Sequence, residues 1–345
     1  MAHLLDNTYG EDNAIGYIGQ LPWHKHGVLL PDGLSVEEAI EMVPAVNFET
    51  KTVDLFHRHD GHLYGNTKVN GFKAIIRSDT GATLGVATPR YSPIQIRDQW
   101  AALDPLIDAG LATIETLGSI DGGKKVWALV RINPESVPEW DQLVDMVGEI
   151  KPYALAVDVK TGKETAMLSL GSIRVVCNNT LMQALGNKTN CIKVKHIGDT
   201  ASKIKEAADD LWGDMITKLN TLRTTYTTLK GIDLHPSYFG ELVLDPITPL
   251  PTNPSNYKDD TSFERAVERA QNRRSEIYRL WTNGRGHDGD YSAWEALNGA
   301  VEALDHNESG LFRKPRNNAK INSMISGKEA RIKQTITNNL MQLAA

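Results

Sequence analysis

Between residues 51 and 176, short apolar runs alternate with polar positions and are separated by turn residues. A period of two is typical of half-buried β-strands, and two such runs around a short turn indicate an antiparallel hairpin. Turns of this kind are Asp60-Gly61, Asp121-Gly122-Gly123 and the segment TGK at 161–163. The predicted strands are KTVDLFHRH, HLYGNTK, FKAIIRS, TLGVATPR, ATIETLGSI, KKVWALVRI, YALAVDVK and ETAMLSLGSIRVV.

After the last of these strands the apolar positions recur with the period of an α-helix. The long segment DTASKIKEAADDLWGDMITKLNTLRTTYTTLK has an apolar stripe that indicates one continuous helix. We predict helices over 177–186, 199–230 and 262–281, around Trp294, and over 328–343.

Two helices are also predicted among the strands. Ser35 followed by Glu38 is a capping-box pattern, in which each side chain binds the other residue's backbone N–H, and it indicates a helix start. The segment 94–110 has an amphipathic helical pattern that ends at Gly110, a residue suited to a helix C-terminus.

This order of elements favours an α+β fold, with a mainly antiparallel, hairpin-rich sheet, packed helices and a helical C-terminal part. Four prolines lie in the polar window LDPITPLPTNPSNYKDD, which is typical of a linker. We therefore predict an α+β core domain over 1–244, a Pro-rich linker over 245–261 and a helical C-terminal region over 262–345.

The chain has 345 residues, of which 41% are hydrophobic and 23% charged, as in a globular protein with a substantial core. Its net charge of −6 is unevenly distributed. Residues 1–60 hold ten acidic and three basic side chains, whereas 160–235 hold seven acidic and eleven basic, and 311–345 one acidic and seven basic. This asymmetry favours binding of a polyanion or contact between the front and rear of neighbouring subunits. The alternative is a solvated surface whose charges average out after folding.

No run of about 18 apolar residues is present, so no membrane span is predicted. The N-terminal segment MAHLLDNTYGED has neither the basic flank nor the apolar run of a secretory signal. Two cysteines do not form a disulfide framework, which favours a reducing, cytoplasmic location.

Cys177 lies between a β-branched run and the cap-forming residues Asn178, Asn179 and Thr180. No base stands beside it in the sequence, so the pattern favours a small buried residue at a strand-to-helix junction over a nucleophile. A second interpretation is that the N-terminus of the following helix presents backbone N–H groups to a phosphate.

Histidines occur in the clusters WHKHG and HRHDGH. Alternate histidines on a strand lie on one face and can form a metal-binding pair, although no carboxylate pattern completes a recognised site. Solvent-facing strand histidines are the alternative interpretation, and the glycine-rich segment 283–290 lacks the spacing of a nucleotide-binding loop. We expect no cofactor, and the candidate metal ligands are His24, His57, His59 and His306.

Basic residues recur near the ends of the predicted hairpins, where they can line a groove that follows a phosphate backbone. Lysine and arginine also protect exposed sheet edges, which is the alternative reason for their position. Tyr91 and Trp127 are candidates for base stacking, although Trp127 occupies an apolar strand position typical of a core residue. The candidate nucleic-acid-binding residues are Arg90, Tyr91, Lys124, Lys125, Arg131, Lys160, Lys163, Arg174, Lys193 and Lys195.

Five segments occur in a characteristic order: PWHKHG, RYSPIQIRDQW, GGKKVWALVRI, IRVVCNNTL and SAWEALNGAVEALDH. In this order the chain resembles the phage/plasmid-like protein family grouped as domain of unknown function 932, and the resemblance extends from Trp23 to His306. The sequence departs from the family at Lys25 and His26. The matching positions are Trp23, His24, Gly27, Tyr91, Trp127, Cys177, Asn179, Thr180, Trp294, Asn298, Asp305 and His306.

The family implies no reaction, but its occurrence on phages and conjugative elements places it in the cytoplasm of a bacterial host cell. Its hairpin-rich core followed by helices is similar, at the level of fold alone, to phage single-strand annealing proteins of the Red-beta and Erf kind. That resemblance implies a ring or filament homo-oligomer that holds single-stranded DNA in a basic groove. We therefore expect a non-catalytic DNA-binding and annealing accessory of recombination. The alternatives are a metal-dependent, nuclease-like enzyme and a mobile-element protein that binds a host defence factor.

Overall fold

The computed structural model describes residues 5–19, 26–58, 66–136, 150–174, 179–180, 191–306, 309–312 and 328–344. The chain forms two compact units. The first consists of Met1–Ser136, Tyr153–Leu170 and Lys188–Met215, and the second of Val137–Pro152, Gly171–Asn187 and Ile216–Ala345. The segment 245–261, which we expected to be a linker, lies within the second unit.

Within the described residues the strands form two sheets, and most of them pair with a neighbour in antiparallel fashion. The strands are β1 (Ile15–Tyr17), β2 (Val28–Leu29), β3 (Thr50–Arg58), β4 (Asn66–Arg77), β5 (Thr83–Ala87), β6 (Ala112–Ile120), β7 (Lys125–Ile132), β8 (Ile150–Val159), β9 (Ala166–Arg174), β10 (Asn179–Thr180) and β11 (Cys191–Val194). The main sheet has the order β10-β9-β8-β7-β6-β1-β2, with β11 also paired to β9, and the second sheet has the order β3-β4-β5. Only the short pair β1–β2 is parallel among the pairs whose register the structure describes.

Helices occur in both units, and together with the sheets they confirm the predicted α+β class with a helical C-terminal part. Among the described residues, no helix combines the length and the apolar character needed to cross a membrane. The helices are α1 (Val36–Met42), α2 (Ile96–Trp100), α3 (Asp104–Asp108), α4 (Thr200–Trp212), α5 (Met215–Gly231), α6 (Pro236–Phe239), α7 (Asp245–Ile247), α8 (Asp260–Asn283), α9 (Ala293–Asp305) and α10 (Lys328–Met341), with a π-helical turn at Gly240–Leu244. Short 3₁₀ turns are Glu11–Asn13, Pro44–Val46, Ala101–Leu103, Pro134–Ser136, Pro254–Asn256 and Gln342–Ala344.

Three predicted helices differ from the observed ones. The segment 94–110 forms α2, a 3₁₀ turn and α3 instead of one helix, because Pro105 lacks a backbone N–H and stands at the start of α3. The segment 199–230 forms two helices, and the N–H of Gly213 caps the first of them on the oxygen of Asp209. In 177–186, Asn179–Thr180 form a strand, and the other positions of that prediction lie outside the described residues.

A buried arginine fixes the β6–β7 turn in the first unit. Arg77 Nη1 lies 2.8 Å from Asp6 Oδ2, and Nη2 lies 2.7 Å from Asp79 Oδ2. Arg77 Nη1 also donates a hydrogen bond of 3.0 Å to the carbonyl of Gly122, and the guanidinium lies 4.2 Å from the Phe48 ring centroid. The guanidinium is thus supplied with acceptors and a π-face, as a buried charge requires.

The two sheets of the first unit approach each other at two glycines. A Cβ on Gly85 of β5 would lie 2.3 Å from the carbonyl oxygen of Thr161. A Cβ on Gly162 would lie 2.8 Å from the carbonyl oxygen of Val86, and Gly162 has a φ of +81°. Backbones therefore meet here directly, which places the β8–β9 turn beside β5.

In the second unit, α9 is buried along its whole length. Its Gly299 leaves room for the backbone of Trp281 on α8, since a Cβ there would lie 2.6 Å from the Trp281 nitrogen. Asp305 at the end of α9 forms a buried ion pair of 2.5 Å with Lys333 of α10. The C-terminal helix is therefore part of the core of this unit, and at least one of its basic residues is enclosed.

Candidate nucleic-acid interface

A β-turn leads from β5 to the first of the predicted site residues. Pro89 occupies the second position of this turn, which suits its fixed φ, and the N–H of Tyr91 donates to the carbonyl of Thr88 at 3.0 Å. Tyr91 then forms an antiparallel bridge with Ile197, and the N–H of Ser92 donates to the carbonyl of His196 at 2.8 Å. The turn is thereby attached to the chain that leaves β11.

An acid and a base from the end of β8 lie side by side in the interior. Asp158 and Lys160 are two residues apart, so their side chains point to the same face of the strand. Lys160 Nζ lies 2.7 Å from Asp158 Oδ2 and donates a second hydrogen bond of 2.8 Å to the carbonyl of Ile94. Both side chains are completely buried, and each supplies the opposite charge that the other requires.

His196 joins this pair from the other side. Its Nε2 lies 3.0 Å from Asp158 Oδ1. The Tyr91 ring stacks on the imidazole, with centroids 4.8 Å apart and planes inclined by 17°. Asp158, Lys160, His196 and Tyr91 form what we call the inner cluster, which connects β8, the residues after β11 and the turn after β5.

The charges of the inner cluster act on one another. Burial alone would raise the pKa of Asp158, but the ammonium of Lys160 and the contact with His196 outweigh it and lower that pKa to about 2. Burial, together with the negative charge of Asp158, raises the pKa of Tyr91. Asp158 is therefore ionised and the Tyr91 hydroxyl is neutral across the physiological pH range.

Several turns meet at one end of the main sheet, where Tyr91, Lys160 and His196 of the inner cluster also lie. Lys125 pairs with Val159, so the β6–β7 and β8–β9 turns lie at the same end of the sheet. Val194 pairs with Ala166, so the chain leaving β11 arrives at this end as well. We call this surface the turn end, and it consists of residues 88–91, 121–124, 160–165 and 195–197.

Most of the predicted phosphate-binding residues lie at or beside the turn end. Arg90, Lys163 and Lys195 are exposed there, and Lys193 is exposed on the adjoining strand β11. Lys124 is partly exposed, and its Nζ lies 3.3 Å from Asp121 Oδ2, so its charge is partly neutralised. The structure thus brings together four exposed cations from three separate segments of the chain.

Besides Lys124, four more of the predicted basic residues do not belong to this exposed set. Lys160 is buried in its ion pair, so the expectation that it contacts a phosphate does not fit the structure. Lys125 is also buried, which lowers the pKa of its ammonium to about 8. Arg131 pairs with Tyr153 toward the opposite end of β7, with its Nε 3.8 Å from Glu115 Oε2. Arg174 lies at the end of β9 in the second unit.

The metal candidates are less completely described. His57 is exposed on β3, and His306 follows α9, whereas His24 and His59 lie outside the described residues, as does Cys177. Within the ranges that the structure describes, no group of three or more His, Cys, Asp or Glu side chains is placed to hold a metal ion. Trp127 is partly buried and packs against Ala14, Ile15 and Ala45, as its apolar strand position indicates.

Two members of the inner cluster, Asp158 and His196, were not among the residues chosen from sequence. A signal was present for both. In VDVK the acid and the lysine are separated by one position within an apolar strand, so they share a face. In KVKHI the lysines alternate with Val194 and His196, which places the histidine on the buried side with the valine.

A family profile described as Domain of unknown function (DUF932) matches residues 83–333, which is more than half of the chain. No curated protein and no solved structure matches this chain. The matched range contains the turn after β5, the inner cluster and the turn end, together with most of the second unit.

Proposed function

The chain belongs to the family described as Domain of unknown function (DUF932), and because this description names no activity, we propose a function from the geometry of the turn end. The turn end binds the phosphates of single-stranded DNA. The protein acts without catalysis, as an annealing accessory in the recombination of a phage or mobile element, in the manner of Red-beta and Erf proteins.

The observation that carries this proposal is the convergence of Arg90, Lys163, Lys193 and Lys195 on one surface. Exposed lysine and arginine side chains neutralise phosphates and release condensed counterions, which supplies most of the affinity for a nucleic acid of arbitrary sequence. The acids nearby, Asp121 and Glu164, reduce but do not cancel this positive charge. Annealing requires that the bases remain accessible while the backbones are neutralised, so no reactive side chain is needed.

The inner cluster supports the same proposal from below. Tyr91 and His196 hold the segments that carry Arg90 and Lys195, and Asp158 fixes His196 to the sheet. The cations are therefore presented by backbone that the core holds in place. Less entropy is lost on binding when the charged groups are already positioned.

The test is binding of a fluorescently labelled oligothymidylate over a series of salt concentrations. We expect affinity to fall linearly on a log–log plot, and the triple variant Arg90→Ala/Lys163→Ala/Lys195→Ala to reduce the slope by about 2, at roughly 0.7 for each phosphate contact. The control is Arg265→Ala/Arg269→Ala, which removes two exposed cations of α8 and leaves the slope unchanged. Absence of binding at low salt would refute the proposal.

Self-association is the second part of the proposal. Residues 1–60 are acidic, whereas 160–235 and 311–345 are basic. Opposite charges favour contact between unlike surfaces of neighbouring subunits, which produces rings or filaments. Mass measurement in solution, with and without oligothymidylate, decides this point. A protein that stays monomeric with and without DNA excludes the ring or filament.

A further inference from the structure

The proline-rich segment that follows α7 is exposed, although it belongs to the second unit. Residues 249–253 have the sequence PLPTN, which contains no charged side chain, and they lie between α7 and the 3₁₀ turn at Pro254–Asn256. Proline fixes its own φ and restricts the preceding residue to extended conformations, so Leu250, which lies between two prolines, has little freedom. The side chain of Leu250 is 41% exposed. We call residues 249–253 the proline ridge.

Both ends of the proline ridge are anchored to α8. Before it, the buried Thr248 accepts a hydrogen bond of 3.2 Å at its carbonyl from Arg274 Nη1. After it, the ring of Tyr257 lies edge-on to the ring of Phe263, with centroids 5.5 Å apart. In the part of the chain that the structure describes, no donor reaches the carbonyls of residues 249–251. The ridge therefore presents hydrogen-bond acceptors and apolar rings from a fixed position.

Two exposed tyrosines of the second unit surround a buried aromatic stack. The fully buried ring of Trp281 lies parallel to that of Phe239, with centroids 4.2 Å apart. Tyr278 of α8 and Tyr291, which precedes α9, both meet the Trp281 ring edge-on, at 5.5 and 5.8 Å. These two tyrosines are 43% and 52% exposed. We call the exposed sides of Tyr278 and Tyr291 the tyrosine surface, which the core beneath it holds in place.

The tyrosine surface suits an uncharged ligand that has hydrogen-bond acceptors. Among the described residues neither tyrosine hydroxyl has a hydrogen-bond partner, so each can donate to a ligand. The charged side chains next to them in sequence are paired: Arg279 Nε lies 2.8 Å from Glu276 Oε2, and Asp290 Oδ2 lies 2.6 Å from Lys230 Nζ. This pairing favours a neutral ligand over the phosphates of a nucleic acid.

We propose that the tyrosine surface of one subunit binds the proline ridge of a second copy of this chain. The inference rests on the self-association in the proposed function, because it assigns the contact that joins neighbouring subunits. Aromatic surfaces bind extended proline-containing segments by packing against the proline rings, and a segment that is already stiff loses little entropy on binding. The tyrosine hydroxyls donate to the carbonyls that the ridge leaves without donors.

The occupant is a second copy because the two surfaces do not cover each other within one chain. Both are exposed in the same structure, and the proline ridge is anchored at both ends. Each subunit therefore uses its ridge toward one neighbour and its tyrosines toward the other. A contact between unlike surfaces closes into a ring or continues as a filament.

The experiment measures the mass of the full-length protein in solution without DNA. We expect the wild type to be an assembly of several subunits. The variants Tyr278→Ser/Tyr291→Ser and Pro249→Ser/Leu250→Ser should each have the mass of a single chain, because each lacks one of the two surfaces. An equimolar mixture of these two variants should form a dimer with one chain of each, since one variant keeps the ridge and the other keeps the tyrosines.

Two matched controls remove exposed apolar side chains from other places. Phe72→Ser removes an aromatic ring of the first unit that is 49% exposed, and Leu343→Ser removes a leucine of the second unit that is 39% exposed. Both should keep the mass of the wild type. Thermal unfolding establishes that each variant is folded, and Tyr291→Ser or Leu250→Ser replaces a double variant that is not.

The outcomes separate this inference from the proposed function. A monomeric wild type overturns both this contact and the proposed self-association, and leaves phosphate binding to its own test. An oligomeric wild type whose two surface variants keep its mass overturns this contact alone. Variants that are monomeric but do not form a dimer when mixed also overturn it, because their surfaces are then not complementary.

Discussion

The aromatic ring of Tyr91 lies on the imidazole of His196, with the ring centroids 4.8 Å apart. This stack joins two segments that are more than 100 residues apart in sequence, the turn after β5 and the chain that leaves β11. The hydroxyl of Tyr91 is buried, and among the described residues it has no hydrogen-bond partner. The ring, rather than the hydroxyl, therefore holds the two segments together.

Replacing Tyr91 separates these contributions. Tyr91→Phe keeps the stacked ring, so we expect the free energy of unfolding to stay the same or increase slightly. Tyr91→Ala removes the ring and should cost about 3 kcal/mol or somewhat more, as for other large aromatic truncations. Urea unfolding measures both, and a loss of more than about 1 kcal/mol in Tyr91→Phe would show that the hydroxyl has a partner.

The buried ion pair of Asp158 and Lys160 predicts that removing one partner costs more stability than removing both. Asp158→Asn leaves the ammonium of Lys160 buried without its counterion, which should cost about 3–5 kcal/mol of unfolding free energy. Asp158→Asn/Lys160→Met removes both charges and should recover much of this loss. Chemical unfolding of the two variants measures the difference, and equal losses in both would contradict a role for the ion pair.

Asp158 also makes stability depend on pH. The pKa of an unperturbed aspartate is about 3.9, roughly two units above the pKa of about 2 that Asp158 has in the folded protein. The unfolded chain therefore binds the proton more readily. The contribution of Asp158 is therefore complete above about pH 5 and is lost as pH falls through 2, with a total of about 2–3 kcal/mol. Unfolding experiments between pH 6 and pH 2 should show a shallower decline for Asp158→Asn/Lys160→Met. Parallel pH profiles for this variant and the wild type would contradict the assignment.

In the second unit, the pair formed by Lys333 and Asp305 predicts that α10 is needed for stability. Lys333→Met leaves the carboxylate of Asp305 buried and should cost about 3–5 kcal/mol. Arg331→Met on the same helix changes an exposed cation to the same side chain and should cost less than about 0.5 kcal/mol. Thermal unfolding distinguishes the two, and similar midpoints would show that the ion pair is not important for stability.

The local elements were largely predictable from sequence, because their signals are local. The Asp121-Gly122-Gly123 turn has positive φ angles at all three residues, as a tight hairpin turn with such residues indicates. The capping box of Ser35 and Glu38 is present as predicted. Apolar periodicity was less reliable where a helix breaks. Ile216 lies in the segment whose apolar stripe indicated one long helix, but it is 42% exposed, because the chain restarts as a new helix after Gly213.

The candidate site was predictable only in part, because burial of a charged side chain depends on non-local pairing. Lys160 and Lys163 flank the same turn in sequence, but only Lys160 finds an acid and a carbonyl in the interior. Lys160 and His196 contact the same carboxylate because β11 pairs with β9, and no local pattern specifies that pairing. The same limit applies to the row that Val53, Ala74 and Val86 form across the three-stranded sheet, since this row depends on strand register.

The close approach of Gly85 to the backbone of Thr161, and of Gly162 to that of Val86, has a consequence for mutational scans of this family. Both glycines are partly accessible and close to the exposed cations, yet almost any replacement would force two backbones apart. A scan for function would mark them as intolerant positions on an accessible surface, the usual signature of ligand contact. Here that signature reports only the lack of space between two polypeptide segments. Measuring the abundance of folded protein alongside binding would distinguish this steric cause from ligand contact.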